Sequence, residues 1–161
     1  MLNEKLLKAL NEQINKEMAS AYLYLGMAIH FEAEGLPGFS SWMHKQAEEE
    51  MEHAMKIYKF IFDADEKPEL GKLDAPQTEY GKPVDVFQKV LKHEEAVTDS
   101  INKLYALALA ENDYKTQTFL HWFINEQVEE EANVHTILDK FKFVDDNTAL
   151  LLLDKELGSR E

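Results

Sequence analysis

Cysteine is absent from this 161-residue chain, which removes disulfides, thiolate zinc sites, iron–sulfur clusters and thiol nucleophiles together. Oxygen and imidazole are the metal ligands left. Proline and glycine are scarce, 4 and 6 residues, and Pro68, Gly71, Pro76 and Gly81 crowd one stretch, so long uninterrupted elements are expected on either side of it. Bases are also short, with 17 Lys and Arg against 31 Asp and Glu and a formal charge of −14. Such a surface repels nucleic acid and anionic membranes and attracts cations, so neither is expected as a partner. No stretch approaches the roughly 20 apolar residues of a membrane span. Met1-Leu2-Asn3-Glu4-Lys5 opens into an amphipathic pattern without the basic start and apolar run of a signal peptide, and the expectation is a cytoplasmic protein. At 45% hydrophobic the length suits one domain over 1–161.

Periodicity predicts an all-α chain. The first helix runs from about Asn3, a suitable N-cap, to Glu34 and stops at Gly35; its inner stripe reads Leu6, Leu10, Ile14, Glu17, Ala21, Tyr24, Ala28 and Phe31. Pro37 starts the second helix, which ends near Asp63 with the stripe Phe39, Trp42, Met43, Gln46, Glu50, His53, Ile57 and Phe60. Residues 65–82 show no period. Pro83 opens a third helix with Phe87, Val90, Glu94, Val97, Ile101, Leu104 and Ala108 inward, and Asn112-Asp113 breaks it. The fourth carries Leu120, Phe123, Gln127, Glu130, Val134, Ile137 and Phe141. The bundle spans about 3–142, and a short fifth helix is expected over about 148–157. Helices of roughly 27 to 31 residues are about 40 to 46 Å long. A link of about 18 residues at about 3.3 Å each can cross that length, so the second and third helices should run parallel.

Each helix interrupts its apolar stripe with polar residues near its middle. Glu17, Glu50 with His53, Glu94, and Gln127 with Glu130 should therefore meet at one level. Glu17 to Glu50 is 33 positions, as is Glu94 to Gln127, and a shift of 77 carries Glu17 onto Glu94, Glu50 onto Gln127 and His53 onto Glu130. The same shift places Trp42 on Phe119, Ile57 on Val134 and Phe60 on Ile137, as expected of two related helical hairpins facing each other. Four carboxylates and one imidazole in a dry core cannot all be charged without cations, and two divalent ions would nearly neutralise them. The donor set suits iron(II) or manganese(II) better than copper, with zinc also compatible. With Glu50 placed to bridge and Glu17, Glu94 and Glu130 terminal or bridging, two irons could share one O2 and give up one electron each.

Glu17, Glu50-Met51-Glu52-His53, Glu94 and Gln127-Val128-Glu129-Glu130 together resemble the ferroxidase centre of the ferritins, most closely the bacterial non-haem ferritins, and the likeness covers the whole chain. Inward carboxylates and Glu-x-x-His motifs on a bundle with a long crossover are the known pattern of ferritin-like proteins. The resemblance implies a ferritin-like four-helix bundle with one long crossover between helices 2 and 3. It also implies that Glu17, Glu50 and His53 hold one iron, that Glu50, Glu94 and Glu130 hold a second, and that Gln127 lies beside it as a hydrogen-bonding residue or weak ligand. Tyr24 matches a tyrosine near the iron pair, although a core tyrosine with a satisfied hydroxyl needs no function. Glu49, Glu126 and Glu129 resemble carboxylates of a third iron position; the alternative, solvated charges flanking a seam, stays open.

The second motif is Gln-x-x-Glu, whereas di-iron oxygenases and bacterioferritins have Glu-x-x-His twice. A second iron without histidine should be held loosely, which suits oxidation and transfer. Met51 follows Glu50 as the haem-binding methionine does in bacterioferritins, but the departure at Gln127 and Glu130 argues against haem. His30, His44, His93, His121 and His135 lie off the ligand stripe. The resemblance further implies storage of iron(II), oxidised by O2 or H2O2, as a ferric mineral in a 24-subunit homo-oligomer with Leu150 to Leu153 around fourfold axes. The alternative for that leucine run is folding back onto its own bundle. Tyr114 to His121 contains no carboxylate, unlike the threefold-pore segment of animal ferritins. A cofactor-retaining di-iron oxidase or peroxide reductase of small oligomeric state is the competing function.

Overall fold

A computed structural model describes residues 1–161 as five helices without strands: α1 (Glu4–Ala33), α2 (Pro37–Asp63), α3 (Pro83–Ala110), α4 (Tyr114–Phe141) and α5 (Asn147–Gly158). Three of them begin on a side-chain cap, with Asn3, Asp113 and Asp146 accepting from the amides of Leu6, Thr116 and Ala149. Three end in the same way. Gly35, Asp65 and Asn112 take left-handed backbones at φ 75°, 62° and 53°, and the amide that follows each bonds back to the last turn, Leu36 to Phe31, Glu66 to Ile61 and Asp113 to Ala108. Asp and Asn tolerate this region because their short side chains bond locally, so only the first of these ends needed glycine.

α1 packs on α2 and α3 on α4, giving two antiparallel hairpins. Residues 64–82 join them by running along α1: the Glu69 amide donates to Asn11, Asn15 donates to the Lys72 carbonyl, and His30 bonds the Gly81 carbonyl. Midway, a Cβ on Gly26 would lie 2.3 Å from the Gln77 carbonyl, so α1 must carry glycine where the link crosses it. The link returns the chain to the end where α2 began, and the starts of the two helices touch there through Phe39, Trp42 and Phe87 at ring separations of 5.2 to 5.7 Å. α2 and α3 are therefore parallel, as the length of the link requires.

The apolar core forms two layers. One joins Tyr24, Met27 and Phe31 to Phe39, Trp42, Phe87, Val134 and Phe141; the other joins Leu6, Leu10 and Ile14 to Ile57, Ile61, Ile101, Leu104, Leu120 and Phe123. Each large buried side chain contributes about 1.5–3 kcal/mol by leaving water. The layers are separated by the polar residues of all four long helices.

α5 folds back on the first layer, burying Leu153 and Leu157 while Leu151 and Leu152 stay exposed. The leucine run is thus divided between the chain's own bundle and the surface. A Cβ on Gly38 would lie 1.7 Å from the Asp154 carbonyl, so only glycine admits this contact. Leu36, at the N-cap of α2, cannot cap; the buried Asp154 carboxylate instead accepts from the Phe39 amide at 2.8 Å. α5 thus supplies from afar the cap that α2 lacks, and places an acid at the positive end of its dipole.

Candidate metal centre

Glu17, Glu50, His53, Glu94, Gln127 and Glu130 meet in the layer between the two apolar cores, each 3% exposed or less. They converge because each is the mid-helix member of an inward stripe at steps of three or four. His53 Nδ1 lies 3.3 Å from Glu50 Oε2 and 3.9 Å from Glu17 Oε2. Separations of this size suit donors sharing one cation at bonds of about 2.1 Å. On its other side, His53 Nε2 lies 3.8 Å from Glu126 Oε1, and His53, Glu126 and Glu130 form a second group of donors within 4.8 Å of one another. Glu130 is thus placed with His53 and Glu126 as well as near Glu94.

Neutral partners hold other carboxylate oxygens of the cluster. Gln13 donates to Glu17 Oε1 at 2.7 Å and Gln46 to Glu130 Oε2 at 3.0 Å. The Tyr24 hydroxyl donates to Glu94 Oε1. Gln127 Nε2 lies 3.2 Å from Glu94 Oε2 and 3.1 Å from Thr98 Oγ1, so its amide serves as a hydrogen-bond donor to Glu94. Glu17 Oε2 and both oxygens of Glu50 are buried without a hydrogen-bond partner. Three orphaned carboxylate oxygens facing an imidazole fit divalent cations, whose charge would supply what no buried lysine or arginine does.

The protonation chemistry agrees. Burial drives the Glu50 carboxyl well above its ordinary range, and the charges of Glu17 and Glu94 push it further. Glu130 is raised to about 8, chiefly by burial and then by Glu94. Glu94 is raised by burial against the opposing hydrogen bonds from Tyr24 and Gln127. Burial also raises the Tyr24 hydroxyl, and the neighbouring carboxylates add to it. Such a cluster holds protons until cations replace them, so metal uptake must release protons.

The outer carboxylates lie on the α2/α4 side. Glu126 is half-buried and raised by that burial, with His53 opposing; Glu49 pairs with Arg160 at 2.7 Å, and Glu129 is exposed. Among the off-stripe histidines, His93 bonds Ser20 at 2.8 Å and meets Tyr24 edge-on, and burial lowers its pKa. Met51 is exposed. Gln13, Thr98 and Arg160 escaped the sequence reading. Gln13 had a signal, since it sits one turn before Glu17 on the same face; Thr98 and Arg160 reach their partners only through tertiary packing.

The model of the ferritin-like domain family matches residues 7–144. The chain is 43% identical over 160 residues to a bacterial non-heme ferritin of Bacteroides fragilis, covering 99% of this chain and 100% of that one. It is 38% identical to one of Staphylococcus aureus, covering 99% and 97%. Among solved structures, an open pore ferritin from the hyperthermophilic archaeon Archaeoglobus fulgidus superposes with a TM-score of 0.97 at 43% identity over the full length of both chains.

Proposed function

The chain belongs to the ferritin family, and on that premise we propose that it stores and detoxifies iron, oxidising iron(II) at the buried pair and keeping the product as a ferric mineral inside a 24-subunit cage. The observation that carries this reading is the convergence of Glu17, Glu50, His53, Glu94 and Glu130 in one dry layer with oxygens of Glu17 and Glu50 unpartnered. Iron is the substrate here. Glu17 and His53 hold one ion, Glu94 and Glu130 the other, and Glu50 lies between them. Two iron(II) ions pass one electron each to O2, which takes two protons and leaves as H2O2; with H2O2 as oxidant, two irons and two protons give two waters.

The protons displaced from Glu50 and Glu130 on iron uptake are available for that reduction. Gln13 and Gln46 fix the orientation of Glu17 and Glu130, so the donors need little reorganisation. Tyr24 and Gln127 do the same for Glu94. At the outer edge of the second position Glu130 also lies within 4.8 Å of Glu126, a half-buried carboxylate that offers ferric ion a way onward. Glu49, Glu126 and Glu129 lie on the side to which it would move. No helix is long and apolar enough to cross a membrane, and the role proposed is a cytoplasmic one.

The test combines sizing with loading. A particle near 24 times 18.6 kDa that keeps hundreds of irons soluble is expected. Glu50→Ala and His53→Ala should each abolish rapid oxidation while the helical signal and particle size persist. A small oligomer saturating near two irons per chain would overturn storage in favour of a di-iron oxidase or peroxide reductase that keeps its metals.

A further inference from the structure

The penultimate residue of the chain reaches the carboxylates outside the buried layer. Arg160 follows α5, and its side chain turns onto α2, where Nη2 donates to Glu49 Oε2 at 2.7 Å and the guanidinium lies 5.0 Å from the centre of the Trp42 ring. Its Nη1 is buried without a partner. A guanidinium committed to a carboxylate normally offers two parallel donors, and here one is unused, so the contact is charged but not locked. α5 does not depend on it. Asp154 on the Phe39 amide, the buried Leu153 and Leu157, and the Lys140–Glu156 ion pair already hold that helix.

Glu49 is not an isolated surface acid. Its charge is felt at both Glu126 and Glu130, and Glu126 in turn faces His53 Nε2. A cation drawn toward these groups meets one carboxylate already neutralised and a positive charge attached to it. We propose that Arg160 is a tethered counter-cation of the outer carboxylates, occupying Glu49 until a metal ion displaces it, and that it thereby sets how strongly metal is held just outside the buried pair. The inference rests on the iron-handling role proposed above. It gives the last turn of the chain a function: a weakly filled outer position lets ferric ion leave the pair, whereas an unguarded one would retain it.

Calorimetric titration of the metal-free protein with zinc(II), a redox-inert probe of oxygen and imidazole sites, tests this without turnover. Arg160→Ala should tighten zinc binding beyond the buried pair by about fivefold, the effect of releasing one partly exposed ion pair. Arg160→Lys should remain close to the parent, and the gain should vanish in Arg160→Ala combined with Glu49→Gln. Unchanged isotherms in Arg160→Ala would leave Arg160 as a packing residue and overturn the proposal. So would a gain that persists without the Glu49 charge. Zinc failing to bind even at the buried pair of the parent would instead remove the reading of that pair, and this inference with it.

Discussion

Replacing Glu130 by Gln should stabilise the metal-free protein at neutral and alkaline pH, although it removes a proposed ligand. The folded carboxyl titrates at about 8 against an ordinary 4.5, so between those values the folded state holds a proton that the unfolded chain releases. Stability therefore falls as pH rises through that window and is unaffected by this group below about 4.5. At about 1.4 kcal/mol per pH unit, the penalty at pH 8 approaches about 5 kcal/mol at its upper limit. Glutamine keeps an oxygen for the Gln46 amide, which donates at 3.0 Å, and carries no proton to lose. Chemical unfolding of chelator-stripped protein, followed by circular dichroism at one fixed protein concentration so that assembly cancels, should show the variant matching the parent near pH 4.5. The two should diverge by several kcal/mol at pH 8 in the variant's favour. With zinc(II) at saturation the order should reverse, because the parent then has the better site. Parallel pH profiles for parent and variant, or a variant less stable at pH 8 without metal, would refute the argument that burial and the Glu94 charge govern this carboxyl.

Asp154→Ala should cost about 1–2 kcal/mol, the worth of a lost N-cap, and amide exchange at Phe39 should quicken selectively; protection unchanged at Phe39 would show that α5 does not cap α2. Gly26→Ala should lower the thermal midpoint and raise exchange within residues 64–82, because its Cβ would stand 2.3 Å from the Gln77 carbonyl and the link must move; alanine in an unhindered helix would instead stabilise by roughly 0.5–1 kcal/mol.

The helices and their inward faces were legible because the stripes are long and their periodicity survives in the sequence. The buried polar layer was legible for a related reason: Glu17, Glu50, Glu94 and Gln127 break otherwise apolar stripes at matched depth, and the 33- and 77-residue spacings repeat that depth in both hairpins. The crossover followed from length alone. What could not be read is long-range and directional. Nothing local in Asp154 says that it serves a helix 115 positions earlier, although the uncapped start of α2 at Leu36-Pro37 was a visible gap. Arg160 on Glu49 is similar, a pairing across 111 positions with no repeat to betray it. The leucine run was read as one unit, either around fourfold axes or against its own bundle, whereas its members divide by face once α5 lies down, Leu153 inward and Leu151 and Leu152 outward.

The division of the apolar core into two layers bears on the working life of the molecule. A protein whose fold depends on its metal loses its shape each time the metal departs, and it can use that metal only as a permanent fitting. Here the waist of the bundle is clamped above and below by side chains that take no part in the chemistry, with Phe31, Phe39 and Phe87 at one end and Leu10, Ile57 and Ile101 at the other. Charge and occupancy at the waist can change with each passage of an ion while the clamps keep the four helices in register. Site and scaffold thus occupy separate layers, and although charge and metal at the waist shift the stability of the fold, the two apolar clamps are built from neither.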